Sequence, residues 1–131
     1  MKSKQVDEFE VVNGRLESLY REMQALARKS PNERINEFKL GLSNLVIEAA
    51  NKFLSGLKIP KPLTTFVHFE EDQLPSYSDA LLVLSQYLAS MEKIRSDNIG
   101  KGIGVNRNSW YWIVEGDLSD IEAGPPKKLD G

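Results

Sequence analysis

His68 is the only histidine of the chain, and it is the first candidate for acid–base or metal chemistry. Glu70, Glu71 and Asp72 follow it within four positions. The imidazole could serve a hydrolase as a general base, or it could share a metal ion with these carboxylates. Adjacent side chains of an extended segment point in alternate directions, however, and no second histidine completes a common transition-metal set. We therefore predict no catalytic residue, no metal ligand and no cofactor, and keep a metal-dependent hydrolase around His68 as a third alternative.

A glycine-rich stretch surrounds Lys101, with Gly100, Gly102 and Gly104 at alternate positions. A phosphate-binding loop places its glycines after a strand and before a helix, so that backbone amides and the helix dipole converge on the anion. Here the glycines follow a predicted helix, and the residue directly after Lys101 is a glycine, where a phosphate-binding loop has serine or threonine. The pattern favours a flexible loop.

Aromatic and basic residues are combined in the next segment, and five of them are the candidate binding residues: Lys101, Arg107, Trp110, Tyr111 and Trp112. Aromatic rings beside cations can stack the bases of a single-stranded nucleic acid. The same residue types dominate binding hot spots between proteins. A structural interpretation, in which the two tryptophans pack onto the third helix, is favoured over base stacking because the chain has a net charge of -2 and no strongly basic block.

Composition sets the class of protein. The chain has 131 residues, of which 40% are hydrophobic and 27% are charged, which is typical of one folded domain. It has no cysteine, which excludes disulfides, thiol catalysis and cysteine-bound zinc. No apolar run approaches the roughly 18 residues of a membrane span. We expect a cytoplasmic protein with no membrane contact.

The first helix is predicted from about Gln5 to Arg28 by an apolar stripe with steps of three and four. The stripe residues are Val6, Phe9, Asn13, Leu16, Tyr20, Met23 and Ala27. Such a stripe is either internal core or the seam of a coiled-coil dimer, in which Asn13 would set the register. We predict self-association through Phe9, Leu16 and Met23, which would give a homodimer.

The second helix is predicted to begin at Ser30-Pro31-Asn32-Glu33, which has the residue types of a capping box, and to run to about Leu54. Gly56 is a plausible left-handed stop. The predicted apolar face consists of Ile35, Phe38, Leu42, Leu45, Val46, Ala49 and Phe53.

The third helix is predicted from about Tyr77 to Asn98, capped by Ser76 or Ser78. It is apolar on most sides, which indicates the centre of the fold. Residues 63–69 and 109–115 are rich in β-branched and aromatic residues and could pair as a two-stranded ribbon. The polar residues 123–131 are expected to form a flexible tail.

These patterns together predict a mainly α fold, with three long helices in an antiparallel bundle and a small two-stranded β-element. Residues 1–122 would form a single domain. The leading functional hypothesis is a non-enzymatic protein-interaction module, such as an adaptor, regulator or inhibitor of a protein partner, that forms a homodimer. The alternative is a single-stranded nucleic-acid binder that uses the basic-aromatic segment 101–112, although nucleic acid is the less favoured partner.

Overall fold

A computed structural model describes residues 1–63, 66 and 68–127. The fold is mainly helical, as predicted, but its sheet has three strands instead of two. The elements in chain order are α1 Ser3–Lys29, α2 Glu37–Gly56, α3 Tyr77–Asp97, β1 Ile99–Lys101, β2 Trp110–Val114 and β3 Asp117–Ala123. None of the described helices is long and apolar enough to cross a membrane.

The chain divides into two compact units. The sheet unit consists of Met1–Glu10 and the residues from Ala89 onward, and the helical unit consists of Val11–Leu88. The single domain over residues 1–122 and the antiparallel arrangement of the helices stay predictions.

In the sheet unit, β2 is the central strand and pairs antiparallel with both β1 and β3. The ribbon predicted between 63–69 and 109–115 is therefore wrong, because both edges of β2 are already hydrogen-bonded to other strands. No strand is formed by the described residues of 63–69, and Thr64, Thr65 and Val67 lie outside the described residues.

A two-residue turn joins β2 to β3. Glu115 and Gly116 both have positive φ angles, of 52° and 86°, as in a type I′ turn. This turn twists in the sense that antiparallel strands require, which is why it favours a tight hairpin. The turn reverses the chain after Val114, so that the polar segment Asp117–Ala123 pairs with β2 as a third strand.

The stripe predicted on α1 is buried at five of its seven positions, and Asn13 and Tyr20 are half-buried. Leu16 and Met23 are buried within the helical unit, and Phe9 is buried within the sheet unit. Asn13 donates a hydrogen bond to Glu17 of its own helix, at 2.9 Å. The prediction of a dimer seam through Phe9, Leu16 and Met23 is therefore wrong, because these side chains are buried by their own chain.

The second helix begins six residues later than predicted. Its cap is Asn36, whose side chain accepts a hydrogen bond from the Lys39 amide at 2.8 Å. Residues 31–35 instead pair with 75–78, through Ile35 N to Pro75 O, Tyr77 N to Glu33 O and Ser78 N to Pro31 O. Long-range pairing thus uses the backbone groups that a first helical turn would have needed. The helix ends at Gly56, two residues beyond the predicted end at Leu54, and the left-handed residue is Lys58 instead of the predicted Gly56.

The third helix begins at Tyr77, as predicted, and ends one residue before the predicted boundary. Ser76 is its cap and accepts a hydrogen bond from the Asp79 amide at 3.1 Å. On the part of α3 within the helical unit, the buried residues are Tyr77, Ala80, Leu84 and Tyr87.

Candidate functional site

The candidate residues of the segment 101–112 occupy β1, β2 and the connection between them. Lys101 ends β1 and is exposed, in register with Trp110 of β2. Arg107 is exposed and follows a short 3₁₀ turn. Trp110 and Tyr111 are half-buried, whereas Trp112 is fully buried. The structure therefore does not place all five side chains on one accessible surface.

Trp112 belongs to the core of the sheet unit. Its ring meets that of Phe9 edge to face, with centroids 5.0 Å apart. Its indole N–H donates a hydrogen bond to Glu10 Oε1 at 3.1 Å. Trp112 is therefore packed inside the fold, as the structural interpretation predicted. The residues it contacts, Phe9 and Glu10, belong to α1, whereas the prediction was the third helix. The Trp112 ring is not presented to a base or to a partner protein.

The β1–β2 connection instead presents aliphatic side chains. Ile103 and Val105 are 83% and 96% exposed, between the cations Lys101 and Arg107. Gly102 is required at the base of the loop, since a Cβ there would collide with the Asn106 carbonyl oxygen. Gly102 therefore allows a tight strand connection. The glycine-rich stretch begins within β1, at Gly100, where the sequence had suggested only a flexible loop.

Carboxylates lie beside the aromatic part of this segment. Glu122 of β3 is in register with Tyr111, and Asp117 and Asp120 are exposed on the same strand. Negative side chains next to a stacking platform repel a phosphate backbone. The nucleic-acid alternative therefore gains no support from the sheet.

His68 meets one of its predicted partners. Its Nε2 lies 3.4 Å from Glu70 Oε1, and both side chains are exposed. Glu71 and Asp72 are exposed as well. In the part of the chain that the structure describes, no three histidine or carboxylate residues are grouped as metal ligands. The pair is a surface contact with no water-excluding environment around it.

A groove between α1 and α2 is a more extensive feature, and it lies wholly within the helical unit. This α1–α2 groove is open and has a volume of about 1090 Å³. Its lining is mostly apolar or small, with three charged side chains. The lining residues are Val11, Gly14, Arg15, Ser18, Leu19, Arg21, Glu22, Ala25, Leu42, Leu45 and Val46.

The groove is bordered by an exposed apolar stripe on α2. Phe38 and Leu45 are 75% and 64% exposed, and Leu42 between them is also exposed. Residues spaced by three and four lie on one side of a helix, so these side chains form a continuous ridge. Contiguous apolar surface of this kind is typical of interaction sites, whereas scattered exposed aliphatic residues are ordinary.

The ridge exists because α2 carries two apolar faces. The helix buries Leu40, Ile47, Ala50 and Leu54. Ser43 lies on that same face and satisfies its hydroxyl by donating to the Lys39 carbonyl at 2.8 Å. The face predicted from the sequence is therefore wrong at Phe38, Leu42 and Leu45, which are exposed. Val46 and Ala49 are half-buried, and Ile35 and Phe53 are buried. The buried face had its own spacing of three and four, which Ser43 made less conspicuous.

The charges of the groove are unevenly paired. Arg21 lies 3.4 Å from Glu17 and forms an ion pair along α1. Arg15 and Glu22 are exposed, and among the described residues neither takes part in an ion pair. They are seven positions apart, which is close to two helical turns, so they lie on the same side of α1.

A second polar cluster, which sequence reasoning missed, lies at the end of α3 in the sheet unit. Glu92 and Arg95 are both buried and form a two-point ion pair, with N–O distances of 2.8 and 2.9 Å. Arg95 also donates to the carbonyls of Gly124 and Pro125, and the Lys127 amide donates to Glu92. We call this cluster the α3 clamp. It holds residues 124–127, which were expected to be a flexible tail, against the helix.

Electrostatics of the α3 clamp favour the charged carboxylate. Burial acts to raise the pKa of Glu92, but the hydrogen bonds from Arg95, the Lys127 amide and Ser96, with the positive charge of Arg95, outweigh it and hold the pKa below its ordinary value. The observed hydrogen bonds of Arg95 all hold parts of the chain together. The α3 clamp thus has a structural role, which is to hold residues 124–127 to the end of α3.

Comparison of the chain with protein-family models, with curated proteins and with solved structures gave no match.

Proposed function

We propose that this protein is a non-enzymatic protein-interaction module and that its contact site is the α1–α2 groove. The observation that carries the proposal is the exposed ridge of Phe38, Leu42 and Leu45 beside that groove. Large apolar side chains left in water on one contiguous surface are stabilised by covering them. Full burial of a wholly exposed side chain of this kind is worth about 1.5–3 kcal/mol, and these three, which are 45–75% exposed, can gain a corresponding part of it.

The shape of the groove fits a helix of the partner. Gly14, Ser18 and Ala25 are small residues among those that α1 contributes, and a Cβ added at Gly14 would meet nothing within 4 Å. A helix with an apolar face can therefore approach α1 closely while packing its other side against Leu42 and Leu45. This is the helix-in-groove mode of recognition, which reads a partner through side chains spaced by three and four residues.

Part of the basic-aromatic segment 101–112 is also compatible with protein binding. Lys101 and Arg107 flank the exposed Ile103 and Val105, which could serve as an additional protein contact. Binding of single-stranded nucleic acid and hydrolysis at His68 stay hypotheses, and no arrangement of the described residues favours either. The cytoplasmic location expected from the sequence likewise stays a prediction.

A crosslinking experiment in the native host cell tests the proposal. A small diazirine amino acid is placed at Ser18, an exposed position of the groove, and covalent adducts are identified after illumination. We expect a discrete protein adduct that is lost in Leu45→Glu. The matched control is Leu82→Glu, because Leu82 is 63% exposed on α3 against 64% for Leu45 and does not line the groove. Absence of any adduct, or an adduct that Leu45→Glu leaves unchanged, would overturn the proposal.

A further inference from the structure

Two of the three charges that line the α1–α2 groove point to a particular occupant; the third, Arg21, is already paired with Glu17. Arg15 and Glu22 are separated by about 10 Å along the α1 axis, and the midpoint between them lies between Ser18 and Leu19. If a second α1 lies antiparallel across this midpoint, a two-fold axis brings each Arg15 opposite the Glu22 of the other copy. A parallel pair in register would instead oppose like charges at both positions.

The apolar part of the same face meets the other requirement of a two-fold interface, which is that one surface must be complementary to itself. The groove offers a depression at Gly14 and Ser18, where side chains are small. The neighbouring α2 offers a ridge in Phe38 and Leu45. With the two α1 helices antiparallel across Ser18, these small side chains let the helices approach closely, and the ridge of each α2 lies beside the α1 of the other copy.

The exposed area is sufficient for a stable pair. The exposed parts of Val11, Phe38, Leu42 and Leu45 amount to about 400 Å² of apolar surface per copy. With both copies counted, and with about 60% of an interface apolar, the total buried area comes to roughly 1,300 Å². Stable interfaces between proteins begin at about 1,200 Å².

We propose that the occupant of the groove is a second copy of this chain, with the two α1 helices antiparallel about an axis near Ser18. This inference rests on the proposed function, since it names the partner of the same groove. The apolar ridge supplies the affinity. The two Arg15–Glu22 pairs are exposed, so they select the antiparallel register more than they strengthen binding.

Sedimentation equilibrium of the full chain tests the occupant. We expect a reversible dimer whose dissociation constant rises by about 30-fold in Leu45→Glu, as expected when a central apolar contact is lost. Leu82→Glu, with the same exposure on α3, should leave the dimer unchanged. A monomer at millimolar concentration overturns the inference. The proposed function still stands in that case if crosslinking at Ser18 captures a different protein.

Charge reversal tests the register separately from the occupant. Arg15→Glu alone and Glu22→Arg alone should each weaken the dimer by about fivefold, because each opposes like charges across the axis. The double variant should recover most of the loss, since it restores two opposite-charge pairs. All three are surface changes on a helix, so folding is checked simply by circular dichroism. This register is wrong if the dissociation constant of the dimer is unchanged in the single charge reversals, or if the double variant dimerises more weakly than both single variants.

Discussion

The α3 clamp makes the sharpest prediction about stability, for the substitution Arg95→Met. Methionine keeps most of the length of the side chain but removes its charge and its donors. The change removes two contacts to Glu92 and two to the carbonyls of Gly124 and Pro125. Glu92 keeps hydrogen bonds from the Ser96 hydroxyl and the Lys127 amide. Its carboxylate is then left buried without its counter-ion.

The expected cost of Arg95→Met is about 3–5 kcal/mol, the range found when one member of a buried ion pair is removed. Glu92→Gln with Arg95→Met should cost less than Arg95→Met alone, because no uncompensated charge then stays inside. Urea unfolding followed by tryptophan fluorescence measures both variants, provided that the transitions are two-state. A loss below about 1 kcal/mol in the single variant, or a double variant that adds the two single losses, would refute the assignment of a buried, coupled pair.

Three further predictions concern stability. The folded pKa of Glu92 lies below its ordinary value of 4.5, so its contribution to the free energy of unfolding is present above that pH and is lost as the pH falls through the folded value. Glu92→Gln should therefore reduce the loss of stability toward acid pH, measured by urea unfolding at pH 3–6. Burial raises the pKa of Tyr87 despite its hydrogen bond to Asn51, so its contribution to the free energy of unfolding is present below pH 10 and is lost above it. In urea unfolding, Tyr87→Phe should remove that loss at alkaline pH and cost about 1 kcal/mol near neutral pH. Leu84→Ala should cost about 2–5 kcal/mol in chemical denaturation, and Leu88→Ala should cost less, because Leu84 is fully buried and Leu88 is half-buried; equal small losses would contradict the burial of α3.

Helix positions were largely readable from the sequence, because they depend on local periodicity. The stripe of α1 and the start of α3 at Tyr77 follow from spacing and from a serine cap. The start of α2 did not follow, since Ser30 and Asn36 are both competent caps. Pairing of Ile35 with Pro75 decided between them, and no local pattern encodes a contact over that separation.

The sheet was misassigned for a comparable reason. Residues 63–69 and β1 competed as partners of β2, and the more β-prone segment was the wrong one. Glu115-Gly116 was the signal that could have identified β3, because a glycine at the second position of a two-residue turn is typical of a tight hairpin.

The candidate site was only partly predictable. Residue types indicated a tryptophan-rich contact surface, but burial of Trp112 depends on Phe9 and Glu10, more than 100 positions away. On α2, two apolar faces compete, and only the fold decides that Phe38 and Leu45 are left exposed. Composition shows that a helix has surplus apolar residues, but it does not show which of them the core will take.

The two units also differ in how the chain must assemble them. The helical unit is one continuous segment, Val11–Leu88, whereas the sheet unit joins Met1–Glu10 to residues that follow it in the chain by about 80 positions. Closing so long a loop costs entropy before any contact offsets it. On a ribosome, the first ten residues have to wait until β2 has been synthesised before Phe9 can meet Trp112. The order of synthesis therefore favours folding of the helical unit first, with the indole of Trp112 reporting the late step through its fluorescence.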